Sequence, residues 1–124
     1  MIEVNDYVRT NSGLIFKVNE ITYDEEYKDY LYKESFLLVD WKENIVKHSK
    51  QLIDLIEVGD IVNGREVKHI AMFEGFPDYP KLIFVDETHL IPDDTCENDE
   101  IKTILTKEQY MANCYKVGGE DEQI

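Results

Sequence analysis

Ile2-Glu3-Val4-Asn5-Asp6-Tyr7-Val8 and Ile56-Glu57-Val58-Gly59-Asp60-Ile61-Val62 are one phrase written twice. Five of the seven positions are identical, at an offset of 54 residues. Each copy has a turn-type pair, Asn5-Asp6 or Gly59-Asp60, followed by β-forming residues. The phrase therefore reads as a turn or bulge that feeds a strand. Each copy is soon followed by a turn signal, Thr10-Asn11-Ser12-Gly13 in the first and Asn63-Gly64 in the second. Two runs joined by such turns are β-hairpins. A strand that bends at an Asp into a hairpin is a common opening for SH3-like barrels. The expected fold is mostly β: two tandem small SH3-like β-barrel modules, 1–55 and 56–124, with one short C-terminal helix. Each alone has a marginal core, so the two are expected to share an interface. The repeated Asp6 and Asp60 are expected to bond backbone N–H groups of the turn that follows them.

Outward from the first copy, Leu14 to Ile21 alternates, with Leu14, Phe16 and Val18 on one face. Residues 22–35 are ambiguous. Tyr23, Tyr27 and Tyr30 have helical spacing, whereas Tyr30 and Tyr32 alternate as in a strand. They read as a long hairpin tip or a short helical turn leading into a strand over 30–41. Phe36-Leu37-Leu38-Val39 suits a buried strand. A strand over 45–48 and a short helical turn over 50–55 lead into the second copy.

After Asn63-Gly64, Val67 to Phe73 is the returning strand. Residues 74–80 form a loop with two prolines that would expose Phe76 and Tyr79. Lys81 to Asp86 and Ile101 to Leu105 are further strands. Thr106-Lys107-Glu108-Gln109 is a capping box that starts a helix over 107–114.

The charge excludes whole classes of function. The 124 residues hold 27 acids against 13 bases, a formal net charge of −14. Residues 1–55 carry net −4 and residues 56–124 net −10. The window 86–100 has seven acids and no Lys or Arg. Such a chain repels phosphate backbones, which argues against direct nucleic-acid binding. It is attracted to basic surfaces instead. No apolar run reaches the roughly 18 residues of a membrane span. Cys96 and Cys114 read as free thiols of a cytoplasmic protein.

Catalytic and metal patterns are absent from the sequence. His48, His69, His89 and the two cysteines form no closely spaced pair of the kind zinc sites use. No nucleophile elbow surrounds Ser12, Ser35 or Ser49, and no glycine loop cradles phosphate. No enzyme activity, metal or cofactor is expected.

The string His48-Ser49-Lys50-Gln51-Leu52-Ile53-Asp54-Leu55-Ile56-Glu57-Val58-Gly59-Asp60-Ile61-Val62-Asn63-Gly64 resembles small uncharacterised phage and prophage proteins of Gram-positive, especially clostridial, bacteria. Asp6-Tyr7-Val8-Arg9-Thr10 and Leu105-Thr106-Lys107-Glu108-Gln109 resemble the same group. The resemblance covers under a quarter of the chain, and it implies a phage context without an activity. The expectation is a non-enzymatic phage-type protein that binds and inhibits a basic host protein, an anti-CRISPR-like inhibitor of a defence or nucleic-acid-handling factor. Its expected contact residues are Asp86, Glu87, Asp93, Asp94, Glu97, Asp99 and Glu100 in the acidic window, with the aromatics Tyr27, Tyr30, Phe76 and Tyr79. Two alternatives are an oligomeric sponge for a nucleotide signal, which needs cations such as Arg9, Arg65 and Lys68, and a virion assembly protein.

Overall fold

The computed structural model describes residues 1–73, 79–91, 101–114 and 117. Among these the chain is mostly β, with three sheets and one short helix. The doubled phrase folds the same way twice. Asn5 and Gly59 take the left-handed conformation, at φ 79° and 99°, which glycine adopts freely and asparagine tolerates. The next N–H closes the turn, Asp6 to Glu3 O at 3.0 Å and Asp60 to Glu57 O at 3.1 Å. The Asp carboxylate then accepts from the N–H three residues back, Glu3 at 2.9 Å and Glu57 at 2.8 Å. The bond thus runs to the preceding turn, not to the following one. A return strand seals each phrase. Asn5 N and Asp6 O bond Val18, while Gly59 N and Asp60 O bond Val67.

The strand after each Asp lies between its hairpin partner and a later strand. β1 (Tyr7–Thr10) sits between β2 (Ile15–Lys17) and β6 (Ile45–Ser49). β7 (Ile61–Val62) sits between β8 (Arg65–Phe73) and β11 (Ile104–Leu105). All these pairings are antiparallel. β8 continues the second sheet through β9 (Tyr79–Phe84) to β10 (His89–Leu90). The third sheet is β3 (Glu20–Asp24), β4 (Asp29–Lys33) and β5 (Val39–Trp41), followed by a 3₁₀ turn over Lys42–Asn44. Residues 22–35 are therefore a β-hairpin. Of the expected proline loop over 74–80, Tyr79 and Pro80 instead pair in β9 with Phe73 and Met72, and 74–78 lie outside the described residues.

Among the described residues the apolar core forms two clusters. Val8, Phe16, Val18 and Tyr32 make one, with Ile2, Ile21, Leu38 and Ile45 against it. Ile53, Ile56, Val62, Val67, Leu82, Phe84 and Leu90 make the other. Alternation of side chains explains the membership, since every second residue of a half-buried strand turns inward. Phe36 and Leu37 break the expectation of a buried strand. Glu34 N to Leu38 O and Leu38 N to Ser35 O close a tight turn. That leaves Phe36 and Leu37 at its apex, 85% and 80% exposed, and only Leu38 reaches the core.

The helix α1 (Lys107–Asn113) folds back onto the first hairpin. Thr106 caps it by accepting from Gln109 N at 3.3 Å, while its own hydroxyl donates to Gly13 O at 2.8 Å. The second half of the capping box is redirected, because the Gln109 amide donates to Ser12 O at 2.7 Å. Gly13, at φ 90°, allows this approach, since a Cβ there would collide with Thr106 Oγ1.

Candidate functional site

Two groupings of polar and aromatic side chains stand out, one buried and one exposed. The buried one centres on Arg9, whose side chain is almost fully enclosed. Its Nη1 donates to Asp60 Oδ2 at 2.5 Å and to Leu55 O at 2.9 Å. Its Nη2 donates to Asp60 Oδ1 at 3.0 Å and to Glu108 Oε1 at 2.7 Å. The fork thus meets the Asp of the second phrase with two parallel bonds, the geometry that suits guanidinium best. Asp60 also accepts from Lys107 N at 3.0 Å. Burial alone would lower the Arg9 pKa, but the bonds and charge of Asp60, then Glu108, raise it further above its already high value. Beside it, Glu57 pairs with Lys107 at 2.9 Å and Lys47 at 3.1 Å. Burial opposes its charge, yet these lysines and Arg9 hold its carboxyl down to about 2.

Asp6, the first copy's counterpart, has different partners. Lys50 Nζ lies 2.7 Å from its Oδ1 and His48 Nδ1 3.5 Å from its Oδ2. The Lys50 bond, then the Glu3 N–H, hold the Asp6 carboxyl below its ordinary value. Each of these acids is paired with a cation inside the protein. Arg9 is likewise unavailable to a phosphate. Arg65 donates to Thr88 Oγ1 and lies 4.2 Å from the Phe84 ring centroid, and Lys68 pairs with Glu87 at 2.8 Å. The three cations named as examples for a nucleotide sponge are thus each in contact with other groups of the chain.

The exposed grouping is the far end of the β3–β4 hairpin. Ile21 faces Tyr32 across the strands, and Tyr23 faces Tyr30 one step further out on the same side. Tyr32 covers the core at 2% exposure, whereas Tyr23 and Tyr30 lie past its edge at 44% and 41%. Shared alternation suggests that Tyr30 and Tyr32 are both core or both surface, but distance from the core splits them, leaving Tyr32 buried and Tyr30 exposed. Tyr23 and Tyr30 meet edge to face at 5.0 Å. On the other side Trp41 pairs with Leu31, and Tyr27 lies over Trp41 at 4.2 Å. Asp24 Oδ1 accepts from Tyr27 N at 2.7 Å, and Lys28 takes the left-handed conformation that closes the turn. Tyr27 Oη donates to Glu43 at 2.6 Å, and Glu43 N donates to Asp29 at 3.1 Å. The bond to Glu43 raises the Tyr27 pKa.

Of the expected contact residues, the structure brings Tyr27 and Tyr30 onto this one hairpin. Asp86 and Glu87 lie in the β9–β10 turn. There Asp86 accepts from Thr88 N and Oγ1, which lowers its pKa. Glu87 is occupied by Lys68. Asp93, Asp94, Glu97, Asp99, Glu100 and Phe76 fall outside the described residues, and for Tyr79 only the strand position is described. The sequence reading missed Tyr23 as a partner of Tyr30, and it missed the Arg9 lock. The available signal for Arg9 was the residue after the phrase, Arg9 in one copy and Asn63 in the other.

Among the described residues no three His, Cys, Asp or Glu side chains converge as metal ligands would, and no helix is long and apolar enough to cross a membrane. Compared with protein-family models, curated proteins and solved structures, the chain matches none.

Proposed function

We propose that the chain is a non-enzymatic phage-type binding protein that attaches to a basic host protein in the cytoplasm and inhibits it, in the manner of an anti-CRISPR. The target class is a defence or nucleic-acid-handling factor, whose basic groove complements a chain of net charge −14. One observation carries the reading. Exposed tyrosines are held in place on a hairpin rich in carboxylates and lie beyond the edge of the core. Tyrosines ordered in advance supply contact area at little entropic cost.

We also read the scaffold as two tandem SH3-like modules, 1–55 and 56–124. The repeated turn, with its matching hydrogen bonds and matching central strand, supports that reading. So does the division of the core into two clusters.

The test is capture from host lysate on immobilised protein, with elution by a salt gradient. The expected result is a basic or nucleic-acid-binding protein that elutes as salt rises and loses activity when bound. Recovery of no such partner, or binding indifferent to salt, overturns the electrostatic reading.

A further inference from the structure

We infer that the overhanging end of the β3–β4 hairpin is the docking face, and that its occupant is an arginine-rich segment of the partner. This rests on the binding reading above and names its site and chemistry. Tyr23 and Tyr30 are 44% and 41% exposed on one face of a sheet whose core contact ends at Ile21 and Tyr32, and Tyr27, 51% exposed, lies over Trp41 on the other face of the same hairpin end. A tyrosine pair across two strands stabilises a hairpin, but that role leaves the accompanying acids unexplained. Residues 20–43 hold eight carboxylates and three lysines. Glu25 and Glu26, at the hairpin tip, are exposed and form no ion pair among the described residues.

The rings are also ready to receive a cation. Lys42 Nζ already lies 6.0 Å from the Tyr30 ring centroid, the outer range of a cation–π contact. The Asp24, Asp29 and Glu43 bonds fix the tip, so little ordering is left to occur on binding. A guanidinium fits better than an ammonium. It is planar, stacks on tyrosine faces and can bridge to a neighbouring carboxylate with two bonds. Nucleic acid is repelled by the same carboxylates, and a second copy of the chain brings the same acidic hairpin and net −14.

The experiment titrates the full ¹⁵N-labelled chain with the peptide Arg-Gly-Arg-Arg-Gly-Arg, and separately with its lysine counterpart, while following the backbone N–H signals of residues 22–31. The expected result is a saturable shift, with the arginine peptide bound several-fold more tightly. The double variant Tyr23→Ala, Tyr30→Ala weakens it about fivefold to tenfold, and Asp86→Asn with Glu87→Gln leaves it unchanged. Should the tyrosine variant fail to fold, the exposed Glu25→Lys, Glu26→Lys variant takes its place and weakens binding likewise. Binding that leaves the signals of residues 22–31 still, equal affinity for the two peptides, or no binding of either overturns the inference. In those cases a basic partner captured from lysate would keep the broader reading standing, whereas absence of any such partner would remove both.

Discussion

At the scale of single residues, the backbone requirement of the repeated turn is a left-handed residue just before the Asp. Asn5 and Gly59 meet it in different ways, so exchange between them is tolerated. Gly59→Asn is expected to shift the urea midpoint only slightly, since its new Cβ meets Lys107 at ordinary contact distance. Gly13→Ala is expected to cost about 1–3 kcal/mol, because it combines a left-handed φ with a collision against the helix cap. Equilibrium urea unfolding of both variants checks the contrast. Arg9 is the other decisive residue. Arg9→Met leaves Asp60 buried without its cation, and breaking a buried pair costs about 3–5 kcal/mol. The same unfolding assay reads it, and a loss below about 1 kcal/mol would show that the lock is incidental.

At the scale of elements, the turns before β1 and β7 carry the acid sensitivity of the fold. The Asp6 and Glu57 carboxyls are both held below their ordinary values, Asp6 by the Lys50 and Glu3 bonds and Glu57 by its lysines and Arg9 in spite of burial. A group with a depressed folded pKa contributes stability that is complete above its unfolded pKa and is lost as pH falls through the folded one. The ordinary values are 3.8 and 4.5, so stability is expected to fall as pH drops from about 4.5 towards 2. Glu57→Gln removes part of that slope, and a pH series of thermal midpoints for the two proteins measures the difference. Much of this architecture was legible in the sequence. The doubled phrase located both central strands, and Asn63-Gly64 located its hairpin. Phe36 and Leu37 misled because an apolar run reports hydrophobicity and not the turn that must join β4 to β5. Arg9 was hidden because a lock across 51 residues has no local pattern, and the different burial of Tyr30 and Tyr32 was hidden because strand alternation sets the side of a residue but not its distance from the core.

At the scale of the whole molecule, charge works against the fold and for association. Net −14 on 124 residues is self-repulsion that salt screens. Moderate sodium chloride at neutral pH is therefore expected to raise the thermal midpoint, while weakening capture of a basic partner. Differential scanning calorimetry over a salt series checks the first half. A midpoint that falls with salt would mean that the internal ion pairs around Glu57 and Asp6 outweigh the global excess.

The central claim divides the chain into a repeated frame that holds the fold and a hairpin that binds. Hydrogen–deuterium exchange, with and without a saturating arginine-rich peptide, tests this division most directly. The account predicts new protection over residues 22–31 and 40–43, with the hydrogen-bonded phrases around Asp6 and Asp60 unchanged. New protection confined to those phrases, with the hairpin unaltered, would contradict it.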